Sequence, residues 1–461
     1  MTHHQFDPSI LREYDIRGIV GETLSEADAR ALGQAFGTIV QQRGGQSVCV
    51  GRDGRLSSPS LEAALIEGLV ASGVDVVRIG LGPTPMLYYA VHQMAAGGGI
   101  MVTGSHNPPD HNGFKMMVGQ TSFFGEDIQM LGRMVAQSEF SEGDGTVVGN
   151  HIEPTYIDRL LQNFEAQPCN IAWDAGNGAL GDVLTKVCAR LPGRHDVLNG
   201  DIDGTFPNHH PDPTDPETLH QLRAHVLENK LDMGIAFDGD GDRIGAMDGS
   251  GEIIWGDQIL SLLAAEVLRE VPGSTIIADV KASQALFDTI ASLGGDPLMW
   301  KTGHSLIKSK MAESGAPLAG EMSGHIFFKH GYYGFDDALY AALKLIEAIQ
   351  HSGKSLEALR KGLPQLVNTP ELRFPCDPAR KFMVAGEIKA RLAEAATGAD
   401  VNDIDGVRVT NEDGWWLVRA SNTQDVLVAR CESYTPDGLM RLKETLVAQL
   451  RDSGVEPPEN L

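Results

Sequence analysis

Short runs of β-branched and apolar residues alternate with amphipathic segments over most of this 461-residue chain. Between residues 47 and 103 the predicted order is strand, helix, strand, helix, strand, at 47–53, 59–72, 74–80, 85–94 and 99–103. Two parallel strands in one sheet need a crossover connection, which is usually a helix lying on the face of the sheet. The alternation therefore predicts mostly parallel sheets covered by helices.

The alternation starts again twice along the chain. The second cycle has a strand, a helix and a strand, at 171–174, 216–230 and 233–238. The third has a helix, three strands and a helix, at 257–269, 275–280, 297–301, 317–320 and 336–351. Each cycle is long enough to form a domain with its own sheet.

The tail follows a different pattern. Three closely spaced strands precede a final helix, at 407–410, 415–420, 426–432 and 436–451, with a turn at 411–414. Hairpin connections of this kind predict an antiparallel α+β unit. We therefore predict three consecutive α/β domains with mixed, mostly parallel sheets and a smaller C-terminal α+β domain, at 1–150, 151–252, 253–365 and 366–461. Segments 143–149 and 364–378 have the composition of linkers.

The charge of the chain excludes two classes of partner. With 62 Asp and Glu against 37 Lys and Arg, the formal net charge is −25. A general nucleic-acid binder and a protein that docks on anionic membranes both need a basic surface. No signal peptide is expected from the first residues, and the five cysteines form no Cys-x-x-Cys pair, so we expect a cytoplasmic protein without disulfides.

A serine-containing loop at 103–115 follows the strand predicted at 99–103. In open α/β sheets, ligands bind beyond the carboxyl ends of strands, and Ser105 occupies such a position. A Gly-x-Ser-x-Gly elbow is excluded, because Thr103 and Asn107 occupy its glycine positions. An ordinary turn serine is the alternative, and His106 beside it is weak evidence alone.

A second loop, Asp238-Gly-Asp240-Gly-Asp242-Arg243, follows the strand predicted at 233–238. Carboxylates two residues apart on glycine-containing backbone can converge on one hard cation, and Mg²⁺ prefers such oxygen ligands. An EF-hand is excluded, because its sixth and twelfth positions would be Arg243 and Gly249. Burying three like charges without a cation is expensive, so we predict a metal site rather than a solvated acidic turn.

Two further loops carry groups suited to a phosphorylated sugar. Gly320-Glu-Met-Ser-Gly-His325 follows a strand, and Glu321 and Ser323 can hydrogen-bond vicinal hydroxyls, although a structural turn is an equal alternative. The loop from Arg419 to Asp425 offers a guanidinium, two hydroxyls and an amide, which suit a phosphate. Alone, it would be an ordinary hairpin loop.

Together, these four loops resemble those of the α-D-phosphohexomutase superfamily, over essentially the whole chain. Their order matches, one loop falls in each predicted domain, and the opening segment Arg12-Glu-Tyr14-Asp-Ile-Arg17-Gly is similar to the family's N-terminal segment. The greatest similarity is to the branch of bacterial bifunctional phosphomannomutases/phosphoglucomutases. The resemblance implies four domains around a central cleft. Because water must be kept from the phosphoserine, we also predict that the fourth domain closes onto the cleft.

The resemblance also implies site residues. Ser105 would be the phosphoserine, and Asp238, Asp240 and Asp242 would hold Mg²⁺ in contact with its phosphate. Proton transfer would fall to Lys115 and His304, and further cationic groups would be His106, Arg243, Lys281 and His325. The sugar 3- and 4-hydroxyls would bind Glu321 and Ser323. The non-reacting phosphate would be held by Tyr14, Arg17, Arg419, Ser421, Asn422 and Thr423.

The implied reaction exchanges hexose 1-phosphate and hexose 6-phosphate. Phosphoserine would donate its phosphoryl group to the free hydroxyl, and the resulting hexose 1,6-bisphosphate, which also serves as activator, would turn over and return the other phosphate. Recognition through the 3- and 4-hydroxyls would ignore the 2-position, where glucose and mannose differ. The expected partners are small phosphosugars, precursors of nucleotide sugars and polysaccharides, and we expect a monomer or weak homo-oligomer.

Three alternatives remain open at this point. A phosphoglucosamine mutase resembles this sequence, but usually has Gln where Met322 stands here. A phosphatase or mutase with an aspartyl nucleophile resembles the Asp238-x-Asp240 pair. A metal-dependent phosphosugar-binding protein would leave Lys115 and His304 unexplained.

Overall fold

The computed structural model describes residues 4–395, 399–458 and 461, which form four β-sheets with flanking helices. The first sheet has the strand order β1-β5-β4-β2-β3-β7, with β6 paired to β5. Its strands are β1 (Ile16–Ile19), β2 (Ser47–Arg52), β3 (Asp75–Leu81), β4 (Gly98–Val102), β5 (His111–Val118), β6 (Thr121–Ser122) and β7 (Val147–Gly149). Its helices are α1 (Glu26–Gln42), α2 (Ser58–Ser72), α3 (Thr84–Met94) and α4 (Glu126–Gln137).

The second sheet has the order β12-β11-β10-β8-β9. Strand β10 pairs parallel with β8 and antiparallel with β11, so the sheet is mixed. Its strands are β8 (Cys169–Asp174), β9 (Gly193–Leu198), β10 (Met233–Phe237), β11 (Ile244–Asp248) and β12 (Ile253–Ile254). Its helices are α5 (Glu153–Leu160), α6 (Gly181–Cys188) and α7 (His220–Asn229), and short 3-10 helices lie at Pro8–Ile10 and Pro216–Leu219.

The third sheet is mixed in the same way, with the order β14-β13-β15-β16 and one antiparallel pair at its end. Its strands are β13 (Thr275–Asp279), β14 (Asp296–Trp300), β15 (Leu318–Gly320) and β16 (Ile326–Phe328). Its helices are α8 (Gly256–Glu270), α9 (Gln284–Ser292), α10 (His304–Ser314), α11 (Ala338–Ser352) and α12 (Leu356–Gly362).

The fourth sheet is antiparallel throughout its recorded pairs, with the order β17-β22-β21-β20-β19 and β18 also paired to β22. Its strands are β17 (Val367–Asn368), β18 (Leu372–Pro375), β19 (Asp400–Asn402), β20 (Val407–Asn411), β21 (Gly414–Ala420) and β22 (Val426–Ser433). Helices α13 (Pro378–Ala395) and α14 (Pro436–Asp452) accompany this sheet.

One hydrophobic core runs through the first three units, whereas the fourth has its own. Tyr88 beside the first sheet, Trp173 in the second and Phe328 in the third belong to the same cluster of buried residues. The fourth sheet packs around a separate cluster that includes Trp416. A small apolar contact and Arg408, which donates to the carbonyls of Val280 and Ala282, join it to the third unit.

The predicted fold class is confirmed, with three mixed α/β units and a C-terminal α+β unit. The proposed boundaries stay predictions; strand β12, at Ile253–Ile254, belongs to the second sheet. Both segments interpreted as linkers contain strands: β7 lies within 143–149, and β17 and β18 lie within 364–378. The glycine and proline content that suggested linkers fits short edge strands equally well.

The segment after Ser105 also differs from the prediction, which treated 103–115 as one loop. Residues from His111 onward form β5, which runs antiparallel to β4 and places Lys115 opposite Met101. The hairpin brings Lys115 back beside the strand that leads into Ser105. Among the described residues, no helix is long and apolar enough to cross a membrane.

Helices α1 and α2 pack so closely that two glycines are required. A Cβ atom added at Gly68 would lie 2.0 Å from the carbonyl oxygen of Arg30, and one at Gly33 would lie 2.3 Å from that of Leu65. Backbone atoms cannot yield as a flexible side chain can. The two helices therefore approach through glycine surfaces.

We expect Gly68→Ala to destabilise the packing of α2 by about 1–3 kcal/mol, because the methyl group forces the helices apart. The matched control is Gly386→Ala in α13, where an added Cβ meets no atom of the described residues within 4 Å; there alanine should stabilise the helix by about 0.5–1 kcal/mol. Hydrogen exchange in peptides covering each helix measures both effects. Equal effects at the two positions would contradict the close-packing interpretation.

Candidate active site

Ser105 lies beyond the end of β4 in a left-handed backbone conformation, with φ of +50°. Its Oγ donates to Oδ2 of Asp238 at 2.7 Å and lies 3.3 Å from Nδ1 of His106. Left-handed backbone is uncommon for residues other than glycine. The strand-end serine predicted from the sequence therefore meets the acidic loop of the second unit directly.

The three aspartates of that loop converge. Asp238, Asp240 and Asp242 are each 0% exposed, and each offers an oxygen within 4.8 Å of the others. Among the residues that the structure describes, Oδ1 of Asp240 and Oδ1 of Asp242 have no hydrogen-bond partner. Buried carboxylate oxygens left without partners fit a bound cation, and oxygen ligands suit a hard one such as Mg²⁺.

The environment shifts the pKa values of Asp238 and Asp240 in opposite directions. Burial raises the pKa of Asp238 well above its usual range, and the charges of Asp240 and Asp242 raise it further. Asp240 is equally buried, but Lys115 reverses the effect and lowers its pKa below the usual range. Without a cation, Asp238 therefore favours a proton more than Asp240 does.

Lys115 neutralises the other two aspartates. Its Nζ donates to Oδ2 of Asp240 at 2.7 Å and to Oδ2 of Asp242. Burial alone would lower the pKa of Lys115, but the two carboxylates outweigh burial and raise it. The lysine is therefore charged in this arrangement and holds its proton tightly.

Arg243 and three histidines surround the aspartates. Nε of Arg243 donates to Nε2 of His325 at 3.0 Å, and the rings of His325 and His304 stack at 5.5 Å. Burial, reinforced by nearby cations, holds the pKa values of His106 and His304 well below their usual range. Both histidines are therefore neutral near pH 7.

Asp336 is a buried site residue that the sequence analysis missed. Its Oδ2 lies 3.0 Å from Nδ1 of His325 and 3.7 Å from Nδ1 of His304, and its Oδ1 accepts from Lys308 at 2.9 Å. Because Nε2 of His325 accepts from Arg243, Nδ1 is the ring nitrogen that lies on the side of Asp336. The sequence placed Asp336 only as the first residue of a helix.

The predicted sugar loop lies between the third and fourth units. Oε1 of Glu321 accepts a hydrogen bond from the Gly303 amide at 2.6 Å. Ser323, two residues further along the chain, is half-buried. Lys281 pairs with Glu371 at 2.8 Å, a partner that the sequence did not reveal. Burial raises the pKa of Asp279, 3.8 Å from Lys281, to about 6.

The loop after β21 meets the N-terminal segment. Nδ2 of Asn422 donates to the Tyr14 hydroxyl at 2.6 Å, and that hydroxyl donates to the Thr302 carbonyl at 2.6 Å. Arg419 pairs with Asp405 at 3.0 Å. Oγ of Ser421 accepts the amide of Thr423 at 3.3 Å, so the loop carries its polar groups in a tight turn.

Arg17 extends these contacts to the serine loop. Its Nη1 donates to Oδ1 of Asn107 at 2.9 Å, and its Nε donates to Oδ2 of Asp15 at 2.8 Å. The N-terminal segment therefore touches the serine loop through Arg17 and the last loop through Tyr14. These polar contacts link all four predicted loops. The last loop is linked to the others through Tyr14.

Four family profiles match the chain in order. They are described as phosphoglucomutase/phosphomannomutase alpha/beta/alpha domain I at residues 8–141, domain II at 154–251, domain III at 255–367 and the C-terminal domain at 381–449. Each of the four loops, and the whole N-terminal segment from Arg12 to Gly18, falls within a matched range.

Full-length relatives agree. A phosphomannomutase/phosphoglucomutase of Pseudomonas aeruginosa is 44% identical over 454 residues, covering 98% of this chain and 97% of the relative. A phosphoglucomutase of Neisseria gonorrhoeae is 42% identical, covering 96% and 97%. The crystal structure of a phosphoglucomutase/phosphomannomutase family protein from Burkholderia thailandensis superposes with a TM-score of 0.92 at 42% identity, covering 98% of each chain.

We expect divalent-cation binding to release protons and to weaken as the pH falls. The reason is that the raised pKa of Asp238 favours the protonated carboxyl in the free protein, and a bound cation displaces that proton. Calorimetric titration with Mg²⁺ in buffers of different ionisation enthalpy measures this release.

Asp238→Asn should lower the number of protons released per bound ion, because no ionisable group remains at that position. The matched control is Glu13→Gln, which removes another carboxyl whose pKa burial raises, outside the triad. Glu13→Gln should leave the release unchanged. Heats that do not depend on the buffer in the unmodified protein would contradict the assignment.

Proposed function

This chain belongs to the phosphoglucomutase/phosphomannomutase family, and on that premise we propose that it interconverts the 1-phosphates and 6-phosphates of glucose and mannose. Membership of this family makes it an enzyme of the isomerase class. One observation carries the proposal. Oγ of Ser105 donates a hydrogen bond of 2.7 Å to Oδ2 of Asp238, which belongs to the buried triad of carboxylates.

Ser105 is proposed to carry the transferred phosphoryl group. A group attached to its Oγ would emerge among Asp238, His106 and the cationic side chains around them. Phosphoryl transfer depends mainly on positioning and charge neutralisation, since negative charge spreads over the transferred oxygens. The serine lies where both requirements meet.

Asp238, Asp240 and Asp242 are proposed to hold Mg²⁺. When bound, the ion would neutralise phosphate charge beside Ser105. Occupation of the site would compete with Lys115 for Asp240 and Asp242, its ion-pair partners. A lysine that loses anionic partners in a buried site releases its proton more readily. We therefore propose Lys115 as a proton-transfer group whose pKa depends on the loaded triad.

The histidines supply a second candidate for proton transfer. His304 is neutral and buried, with Nδ1 3.7 Å from Asp336, and His325 stacks on it. A neutral imidazole accepts a proton from a sugar hydroxyl, and Asp336 stabilises the charge that forms. His106 and Arg243 are proposed to complete the charge balance around the phosphoserine.

The opposite end of the cleft is proposed to bind the rest of the substrate. Glu321 and Ser323 would take the sugar hydroxyls, with Lys281 and His325 beside them. The phosphate that does not react would contact six side chains, Tyr14, Arg17, Arg419, Ser421, Asn422 and Thr423. The link from Asn422 to Tyr14 supports a shared task for the N-terminal segment and the last loop.

A hexose 1,6-bisphosphate is the proposed intermediate. Ser105 would give its phosphoryl group to the free hydroxyl, the bisphosphate would reverse its direction, and its other phosphate would return to Ser105. Water must be excluded meanwhile, so we propose that the fourth unit closes onto the cleft. Its separate hydrophobic cluster supports a unit that moves as one body.

The remaining finer assignments rest on the same premise. The partners proposed are small phosphosugars, the location is the cytoplasm, and the chain acts as a monomer or weak homo-oligomer. Boundaries at residues 150, 252 and 365 are proposed for the domains. A phosphoglucosamine mutase remains a possible outcome of the substrate test below.

Ser105→Ala should abolish covalent phosphorylation and lower turnover by roughly a thousandfold or more, because the acceptor oxygen is gone. Intact mass after incubation with glucose 1,6-bisphosphate measures the first effect. Coupled assays with glucose 1-phosphate, mannose 1-phosphate and glucosamine 6-phosphate measure the second and rank the sugars.

The matched control is Ser60→Ala on the exposed side of α2, which should keep both properties. Treating the phosphorylated protein with hydroxylamine separates the two possible nucleophiles, since hydroxylamine cleaves an aspartyl phosphate and leaves a phosphoserine intact. Full activity of Ser105→Ala would overturn the phosphoserine. Preference for glucosamine 6-phosphate would replace the hexose assignment, and binding without turnover in the unmodified protein would make it a binding protein.

A further inference from the structure

Arg55 makes an unusual set of contacts beneath the serine loop. This side chain follows β2, the strand adjacent to β4, and the residue is 1% exposed. Its guanidinium donates at distances between 2.5 and 3.0 Å to four main-chain carbonyls, those of Ser105, Asn107, Pro108 and His111. One arginine therefore binds the loop backbone on both sides of its bend.

The guanidinium is fixed from three further directions. Its Nε lies 3.2 Å from Oδ2 of Asp53, which offsets its charge. The ring of Phe206, from the loop after β9, lies 5.1 Å from Cζ of Arg55. A Cβ atom at Gly104 would come within 2.5 Å of the guanidinium. The arginine occupies a fitted slot between the first two units.

The serine loop depends on Arg55 for some of the hydrogen bonds that its main-chain carbonyls accept. Two turns supply internal bonds, from the Asn107 amide to Gly104 O at 2.9 Å and from the His111 amide to Pro108 O at 3.0 Å. In the described part of the chain, the carbonyls of Ser105 and Asn107 receive their recorded hydrogen bonds from Arg55. A buried carbonyl without a donor is costly, so these contacts restrict the paths open to the loop.

The restriction matters because the backbone of Ser105 adopts the left-handed conformation. At φ of +50° the residue is in a conformation that non-glycine residues adopt only when their surroundings enforce it. A change in that angle would swing Oγ away from Asp238, which it contacts at 2.7 Å. The carbonyl of Ser105 is itself one of the four acceptors, so Arg55 acts on the residue whose angle must be held.

We propose that Arg55 is a positioning residue that fixes the direction of the Ser105 hydroxyl by binding the carbonyls of its loop. This inference rests on the proposed function, in which Ser105 carries the transferred phosphoryl group. Arg55 lies behind the loop and contacts its backbone, while the proposed sugar and phosphate ligands are other residues. Its effect is therefore on the reacting geometry and not on substrate affinity.

Arg55→Lys is the direct test, since lysine keeps the charge but has three donors on one nitrogen, which cannot reach four diverging carbonyls. We expect kcat to fall about a hundredfold, the order of loss that a misplacement of about 1 Å causes. KM should stay within about threefold of the unmodified enzyme, because the variant spares the substrate ligands. Amide exchange in the peptide covering 103–114 should accelerate.

Arg391→Lys is the matched control. Arg391 also binds a main-chain carbonyl, that of Gln449 at 2.8 Å, together with the Ser453 hydroxyl at 2.7 Å, but in the fourth unit. Its substitution should leave kcat within twofold and leave exchange in 103–114 unchanged. A common fall in kcat for both variants would indicate a general loss of stability and would overturn the proposal.

Phe206→Leu provides a milder second variant if Arg55→Lys fails to fold. It removes the aromatic face while keeping every hydrogen bond of Arg55, so kcat should fall about fivefold with faster exchange in 103–114 and an unchanged KM. Unchanged exchange or unchanged kcat in the folded variants overturns the positioning role.

The failure of the proposed function is distinguishable from the failure of this inference. An unmodified protein that neither accepts a phosphoryl group on Ser105 nor turns over hexose phosphates would refute the function. Hydrogen exchange in 103–114 would then still decide whether Arg55 fixes the loop. Normal activity in the unmodified protein, with Arg55→Lys resembling Arg391→Lys, would refute the inference alone.

Discussion

The burial of three carboxylates at the end of β10 is the constraint on which the rest of the site depends. Asp238, Asp240 and Asp242 lie within one small volume without solvent contact. Such a cluster persists only when neighbours supply protons, cations or hydrogen bonds. Three neighbours meet part of this need. Lys115, which β5 places beside the triad, supplies a cation. The Ser105 hydroxyl and the amides of the acidic loop donate hydrogen bonds to Asp238.

Much of the fold and the centre of the site could be predicted from the sequence because their signals are local. Strand β4 and the serine after it, or β10 and its aspartates, occupy consecutive residues, so pattern and chemistry appear side by side. The place of Lys115 was missed for the opposite reason. The position of Lys115 depends on the antiparallel register of β5 against β4. No sequence signal within 103–115 indicates where β5 begins.

Partners distant in sequence were likewise invisible. Glu371 pairs with Lys281 across 90 residues, and Asp336 meets His304 and His325 only through the packing of the third unit. Arg55 stands 50 residues before the serine whose carbonyl it binds, in a strand-end segment that carried no motif of its own. Residues that hold a reactive group in place act through geometry, and geometry of this kind emerges only once the strands are aligned.

The net charge of −25 is compatible with the proposed anionic substrates because the cations of the proposed site are held in ion pairs. Lys115, Lys281 and Arg419 each have a carboxylate partner within 3.0 Å. Buried cations without partners would be costly, so pairing preserves stability while the cleft is free of substrate. Charges on the outer surface are screened beyond roughly 8 Å at physiological salt. A phosphate entering the proposed substrate site would therefore respond chiefly to the groups it touches, and it would gain affinity where it can replace a carboxylate beside one of these cations. Ion pairing within the site thus allows a chain with a net charge of −25 to offer cations to an anionic substrate.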